Sequence, residues 1–157
     1  MFRWFQKYPQ LLERSYRITY QLLEPFKRWL EPGSRLEKVF IQAEKVGKGA
    51  IFDCRMCGQC ILHSTGMTCP MTCPKNLRNG PCGGVLANGN CEILPEQACI
   101  WVQAWERTKQ MKIYGNEVLM VQPPTNHSLN NSSSWINGLH RGTALVPYGW
   151  REDGTEK

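Results

Sequence analysis

The stretch Cys54-Arg-Met-Cys57-Gly-Gln-Cys60 is a Cys-x-x-Cys-x-x-Cys array, and it opens a cysteine-rich segment that ends at Cys91. Seven of the eight cysteines of the chain lie in this segment. Three thiolates at this spacing in one loop can face a single inorganic centre, most commonly an iron–sulfur cluster, with zinc as the main alternative. The array therefore predicts that the fold of this chain is organised around bound metal.

The spacing after the array differs from that of an ordinary ferredoxin loop. A ferredoxin run places its fourth cysteine three residues after the third and follows it with proline. Here eight residues separate Cys60 from Cys69, although Cys69-Pro70 resembles the remote ferredoxin ligand. Cys57 belongs to both Cys-x-x-Cys pairs, which a cuboidal cluster explains better than a zinc ribbon, because each iron takes one thiolate.

Eight cysteines suffice for two four-cysteine sites. The predicted metal ligands are Cys54, Cys57, Cys60, Cys69, Cys73, Cys82, Cys91 and Cys99. Beyond the array, the choice between a cluster and zinc stays open for Cys69, Cys73, Cys82, Cys91 and Cys99. Cys99 is also a candidate for a free structural cysteine. His63 lies near the array, either as a ligand or, as is commoner, as a loop residue that tunes the site by hydrogen bonding.

Charge and hydropathy argue against other function classes. The net charge is +6, but the basic residues are scattered rather than clustered, so nucleic-acid binding is not expected. No apolar run reaches the ~20 residues of a membrane span, and no secretory signal is visible after residues 1–9. We therefore expect a cytoplasmic protein whose thiols bind metal rather than form disulfides.

Residues 1–50 are predicted to form helices that either complete the core or dock onto a partner. Apolar and aromatic residues recur at 4-3-4-3-4 spacing over residues 12–30, which is typical of one helix face. Pro25 is expected to break this first helix. A capping box at Ser34-Arg-Leu-Glu37 predicts the start of a second helix, and Gly47 is its expected end. Four further residues widen the face of the first helix: Leu11, Ile18, Leu22 and Trp29.

Residues 51–115 are predicted to form the metal-binding domain. Proline and glycine punctuate this segment, so it is expected to fold mainly as loops. Asn88-Gly89-Asn90 suits a tight turn and predicts one small β-hairpin over residues 85–93. A closing helix is expected over residues 95–114, with Cys99 in its first turns.

Residues 116–157 are predicted to form an extended tail that contacts a partner. The segment is rich in proline, asparagine and serine, with isolated aromatic residues at Trp135, Tyr148 and Trp150. The complete prediction is a mostly α-helical fold with irregular cysteine-rich metal-binding loops, one small β-hairpin and an extended C-terminal tail.

Several segments together carry a resemblance to a known family. They are Cys54-Arg-Met-Cys-Gly-Gln-Cys60, Cys69-Pro-Met-Thr-Cys-Pro-Lys-Asn-Leu-Arg-Asn-Gly-Pro-Cys-Gly-Gly84, Asn90-Cys-Glu-Ile93, Cys99-Ile-Trp-Val-Gln-Ala-Trp-Glu-Arg107 and Ser132-Ser-Ser-Trp135-Ile-Asn137. These segments resemble the methylenetetrahydrofolate reductase C-terminal family, the small cysteine-rich partner subunits of some bacterial methylenetetrahydrofolate reductases.

The resemblance implies a non-catalytic subunit that binds a flavin-containing catalytic partner, with FMN or FAD in that partner and not in this chain. It implies one or two 4Fe–4S clusters that pass electrons toward the flavin, with zinc as a further candidate metal and a ferredoxin-like or other protein as electron donor. This chain is itself too short for a (β/α)₈ barrel of ~250 residues. Two alternatives stay open: a zinc-stabilised assembly module without a redox role and, less favoured, a nucleic-acid-binding zinc domain.

Overall fold

A computed structural model describes residues 3–140 of the 157-residue chain. The regular structure of this part is helical, and no β-sheet occurs in it. Its α-helices are α1 (Pro9–Leu23), α2 (Arg35–Phe52), α3 (Ile100–Thr108) and α4 (Ser134–Leu139). Short 3₁₀ turns lie at Arg3–Lys7, Glu24–Phe26, Leu62–Thr65, Pro70–Thr72, Gly115–Leu119 and His127–Leu129. None of the described helices is long and apolar enough to cross a membrane. The predicted tail aromatics Tyr148 and Trp150 lie outside the described residues.

α1 packs against the rest of the chain through a narrow inner face. Proline stands at its first position, and Pro25 lies in the 3₁₀ turn that follows its last residue, so the predicted break is confirmed. Leu12 and Tyr16 are buried on the inner face. The core covers only this stripe, so the four residues predicted to widen the face do not complete the core, and docking onto a partner stays a prediction for them. All four are exposed, and the last lies beyond the end of α1: Leu11, Ile18, Leu22 and Trp29.

α2 begins at the predicted capping box but ends later than predicted. Ser34 Oγ accepts a hydrogen bond from Glu37 N at 3.2 Å, and the Glu37 carboxylate accepts one from Gly33 N. The predicted end at Gly47 is wrong, because the helix continues until Asp53, which has a left-handed φ of 54°. Gly47 lies in a solvent-exposed helix interior, where glycine costs only about 1 kcal/mol relative to alanine.

The segment predicted as a β-hairpin forms isolated bridges instead of strands. Glycine and proline on either side of the turn leave no room for a longer ladder of backbone pairs. The backbone stays bridged up to Ala98, so α3 begins at Ile100 and the predicted helix over residues 95–114 is too long. Cys99 is the N-cap residue of α3. Two antiparallel bridges form, Val85 with Cys91 and Asn90 with Ala98.

Residues 116–140 fold back onto the domain, which corrects the prediction of an extended tail for this stretch. Ile136 of α4 is fully buried against Leu30. The Trp135 ring packs on Tyr16 of α1, with ring centroids 4.9 Å apart. Side chains that are isolated in the sequence therefore become neighbours in space, because their partners come from the N-terminal part of the chain.

Within residues 4–140, three small clusters of buried side chains form the core. The first joins α1 to the cysteine-rich loops and contains Leu12, Tyr16, Leu62, Met67, Cys69 and Met111. The second contains Cys73, Cys99, Ile100, Trp101 and Ala104. The third contains Leu30, Ile136 and Leu139. Three of the predicted ligands belong to these clusters and are part of the packed core: Cys69, Cys73 and Cys99.

Candidate metal centre

Four of the predicted ligands line one pocket. Three of them come from the loop between α2 and the 3₁₀ turn Leu62–Thr65, and the fourth directly precedes the turn Pro70–Thr72. The cavity between them has a volume of about 20 Å³, so their side chains pack closely around it. The four residues are Cys54, Cys57, Cys60 and Cys69. We call this space the four-thiol pocket.

Backbone N–H groups point at three of the thiols in this pocket. Each donor lies two residues further along the chain, and the Met56 nitrogen is 3.4 Å from Cys54 Sγ. A hydrogen bond of this kind stabilises a thiolate more than a thiol. The donors are Met56 for Cys54, Gln59 for Cys57 and Met71 for Cys69.

Burial raises the pKa of these thiols above the ordinary value for cysteine. Desolvation brings the pKa of Cys54 to about 11 and that of Cys69 to about 12, the neighbouring thiols add to the rise, and the backbone donors offset part of it. Burial likewise raises the pKa of Cys57. At neutral pH these thiols hold their protons in the absence of a bound cation, so metal binding must release protons.

Arg78 and Gln59 contribute unpaired hydrogen-bond donors to the four-thiol pocket. Arg78 is 6% exposed, and its Nη1 donates to Gln59 O at 3.0 Å. Among the described residues, Gln59 Nε2 and Arg78 Nε and Nη2 have no hydrogen bond of ordinary geometry, although the Cys57 sulfur interacts with the guanidinium. Burial lowers the pKa of Arg78, while the thiols of Cys57 and Cys60 act in the opposite direction. Buried donors are normally satisfied, and an anionic group held by the four cysteines fits these unpaired ones.

The segment that leads into α4 closes over the array. Asn131 N donates to Met56 O at 2.8 Å, and Asn137 Nδ2 donates to Gly58 O at 2.9 Å. Gly58 has a φ of +72°, and a Cβ atom at this position would lie 2.1 Å from Leu129 O. Glycine is therefore required here both by the backbone angle and by the close approach of the two segments.

A buried ion pair within α2 is hydrogen-bonded to the start of α4 beside the pocket. Lys48 Nζ lies 2.6 Å from Glu44 Oε1 and donates to Ser134 Oγ, and Ser134 lines the four-thiol pocket. The Glu44 carboxylate also accepts hydrogen bonds from Ser134 N and Trp135 N. Burial alone would lower the pKa of Lys48, but the Cys60 thiol and Glu44 outweigh it, and the pKa rises. A positive charge is thus held close to the thiols.

The remaining four cysteines gather around the bridged turn and α3. Cys73 and Cys99 are buried in the same cluster, and Cys91 is buried in the bridge that packs against it. Cys82 is exposed, and its Sγ accepts a hydrogen bond from Gly84 N at 3.4 Å. Over residues 3–140, no three Cys, His, Asp or Glu side chains are grouped closely enough to hold a single metal ion.

His63 does not line the four-thiol pocket. Its Nδ1 lies 2.5 Å from Glu117 Oε2, and Ser64 Oγ donates to the same oxygen at 2.9 Å. The imidazole also packs on Tyr16. These contacts fix the loop that carries the array against the 3₁₀ turn Gly115–Leu119, and they do not support a ligand role for His63.

Three residues that support the pocket were not identified from the sequence. Arg78 and Lys48 look like two more of the scattered basic residues, and nothing local marks a buried cation. Gly58 carries a weak signal, because a glycine inside a ligand array indicates a positive φ or a close approach of backbone.

A family model described as "Methylene-tetrahydrofolate reductase C terminal" matches residues 34–128, which is more than half of the chain. The match contains all eight cysteines and begins at the N-cap residue of α2. α1 and α4 lie outside it. No curated protein and no solved structure matches the chain.

Proposed function

The chain belongs to the methylenetetrahydrofolate reductase C-terminal family, and from this premise we propose that it is the non-catalytic electron-transfer and structural subunit of a methylenetetrahydrofolate reductase complex. In this proposal a flavin-containing partner carries out the folate chemistry. This chain relays electrons to the flavin through an iron–sulfur cluster, and a ferredoxin-like or other donor protein supplies them.

The observation that carries the proposal is the four-thiol pocket. Four thiols line a shared space, and three of them lie on one short loop. A zinc ribbon uses its Cys-x-x-Cys pairs as separate halves of one site. The irons of a 4Fe–4S cluster occupy separate corners, and each takes one thiolate. Because Cys57 belongs to both pairs of the array, the array suits a cluster better than a zinc ribbon.

The surroundings of the pocket fit an anionic cluster. Arg78 and Lys48 supply two buried positive charges, and Gln59 Nε2 supplies an unpaired donor. Positive charge and hydrogen bonds to sulfur raise the reduction potential of a cluster. The bound cluster supplies one-electron chemistry, whereas the residues of this chain hold it, balance its charge and limit its contact with water.

For the second set of cysteines we propose a further metal centre, occupied by zinc or by a second cluster. The 3₁₀ turn Pro70–Thr72 alone separates Cys69 of the first set from Cys73 of the second. At about 2 Å of rise per residue this turn keeps the two ligands roughly 8 Å apart along the chain. A cluster here would extend the electron path, and a zinc ion would brace α3. The other members of the set are Cys82, Cys91 and Cys99.

We propose that the groove between α1 and α2 receives the catalytic partner. Its lining is apolar and includes Leu12 and Leu23 from α1 and Phe40 from α2. Trp135 and Lys48 also line it, and the Lys48 ammonium lies 4.5 Å from the Trp135 ring centroid. A helix bound in this groove would reach the side of the four-thiol pocket that Lys48 occupies.

Anaerobic purification with analysis of iron, sulfide and zinc tests the proposal. We expect equal amounts of iron and sulfide, a visible charge-transfer band and co-purification of a flavoprotein. Cys57→Ser should remove the iron and sulfide of one cluster, with a matching loss of the band, whereas the matched variant Cys91→Ser should leave that cluster in place and change only the metal of the second centre. A colourless preparation that contains only zinc would overturn the electron relay and favour an assembly module without a redox role.

A further inference from the structure

α1 carries an apolar stripe on the side that faces away from the core. Leu11, Ile18 and Leu22 are each more than half exposed. Because they are separated by seven and four positions, they share one face of the helix. Phe26 and Trp29 follow just beyond the helix end, and Trp29 is 74% exposed. We call these five residues the outer stripe.

Basic residues lie along one margin of the outer stripe and beyond both of its ends. The acidic residue within α1, Glu13, is buried and directed inward. Exposed acidic residues over residues 4–31 are confined to Glu24 and Glu31, both beyond the helix. Arg14 and Arg17 share one side of the stripe, because successive helical residues are about 100° apart. The exposed basic residues over residues 4–31 are Lys7, Arg14, Arg17, Lys27 and Arg28.

The inner face of α1 is anchored strongly enough to keep the outer stripe exposed. The Glu13 carboxylate accepts hydrogen bonds from the backbone N–H groups of Lys112 and Ile113 at 2.9 and 3.0 Å. Leu12 and Tyr16 on the same side are part of the core. The stripe therefore has no route into the core of its own domain.

We propose that the outer stripe binds the surface of an anionic phospholipid membrane, with α1 lying in the plane of the interface. A helix with apolar and aromatic residues on one side and arginine or lysine along its margins is typical of interfacial helices. In such helices the apolar side chains enter the acyl boundary while the cations meet lipid phosphates. Trp29 is placed near one end of the helix, where an amphipathic ring anchors at headgroup depth.

Charge and location favour a lipid surface over a protein partner. Two copies of this chain would bring two cationic faces together, which their repulsion opposes. The groove proposed for the catalytic partner is lined by Leu12, Tyr16 and Leu23 of α1 and by none of the residues of the outer stripe. α1 also precedes the region that matches the family, which begins at residue 34.

Vesicle co-sedimentation of the full, metal-loaded chain tests the proposal. We expect binding to vesicles of phosphatidylglycerol and phosphatidylcholine in equal parts, weakening with added salt, and no binding to phosphatidylcholine alone. The triple variant Leu11→Ser/Ile18→Ser/Leu22→Ser should bind about a hundredfold more weakly, because it removes the apolar contact. Arg14→Gln should weaken binding about fivefold.

Matched variants elsewhere on the surface serve as controls. Leu119→Ser/Val121→Ser removes two exposed apolar side chains outside α1, and Lys109→Gln removes one exposed charge. Both should bind vesicles like the wild type. If the triple variant loses its metal, the test of the proposal rests on two other measurements. They are the vesicle binding of Arg14→Gln and the dependence of wild-type binding on anionic lipid. Equal binding to neutral vesicles, or equal losses in variants and controls, would overturn the proposal. The proposal would also be overturned if the triple variant bound vesicles like the wild type but no longer associated with the catalytic partner.

Discussion

Replacement of Gly58 by alanine should destabilise the protein strongly. Gly58 lies between two cysteines of the array and has a φ of +72°. A Cβ atom there would lie 2.1 Å from Leu129 O and 2.8 Å from Ser132 Oγ. The alanine therefore meets two penalties at once, an unfavourable backbone angle and an overlap with a neighbouring segment.

The two penalties can be estimated separately. Left-handed backbone costs alanine roughly 1–2 kcal/mol relative to glycine. To relieve the overlap, the loop that carries Gly58 must move away from the segment around Leu129. Overpacking of this kind costs about 1–3 kcal/mol in stability. The movement also weakens the hydrogen bond from Asn137 Nδ2 to Gly58 O. We expect a loss of about 2–5 kcal/mol in the free energy of unfolding. For 157 residues this corresponds to a fall of roughly 6–15 °C in Tm.

Two other glycines separate these contributions. Gly33 has a φ of +85° with open space around its Cβ position, and Gly47 lies in α2 with open space. Gly33→Ala should therefore lose only the backbone part, about 1–2 kcal/mol, and Gly47→Ala should gain about 0.5–1 kcal/mol. Urea unfolding of the three variants measures the series. If Gly58→Ala loses no more unfolding free energy than Gly33→Ala, the close approach of Gly58 to Leu129 does not hold the array in place.

Three further perturbations address the pocket. Glu44→Gln should lower the free energy of unfolding in urea by about 3–5 kcal/mol, because Lys48 becomes a buried unpaired cation. The double variant Glu44→Leu/Lys48→Met should recover most of that loss. If the single and the double variant lose the same amount, the ion-pair explanation is contradicted. Arg78→Met removes two unpaired buried donors but also the hydrogen bond to Gln59 O, so the two effects should largely offset each other in the stability of the metal-free chain. The same variant should lower the reduction potential of the loaded centre in a redox titration; an unchanged potential would place Arg78 away from the cluster. The metal-free chain should lose roughly 2–4 kcal/mol as the pH rises from about 9 towards 12. The pKa of Cys69 is about 12 in the folded state and near 9.0 in the unfolded chain. The contribution of this thiol to the free energy of unfolding is therefore fully present below pH 9 and is lost as the pH rises from 9 to 12. Cys69→Ser should flatten that slope in urea titrations at two pH values.

The features that were predictable from the sequence have local causes. Pro25 ends α1, because its ring and its missing N–H act locally. Ser34 starts α2 through a hydrogen bond from the backbone N–H of Glu37, only three positions further along the chain. The end of α2 was missed because glycine is tolerated within a helix, and Gly47 carries no local signal that distinguishes tolerance from termination. α4 was missed because Ile136 and Trp135 owe their burial to residues more than a hundred positions earlier.

The candidate site likewise contains residues that the sequence identifies locally and residues that only the fold brings to it. The spacing of the cysteines predicted that Cys54, Cys57 and Cys60 would share one site, and the structure places them in one pocket together with Cys69. Their role as metal ligands stays a prediction. Arg78 could not be assigned, because its place depends on how the chain returns to Gln59 after nineteen residues of loop. Spacing in a sequence identifies ligands that lie on one loop, but not the charges that other loops bring to them.

The closure of the array by the segment before α4 has a consequence for how the protein is made. Asn131, which bonds to the array, follows Cys69 by 62 residues. At a synthesis rate of about 5–20 residues per second, the ribosome needs roughly 3–12 s to add that stretch. During this interval all four thiols are synthesised and nothing yet covers them. If the proposed centre is loaded before this segment closes over the array, slower synthesis of residues 70–131 should raise the fraction of chains that carry metal.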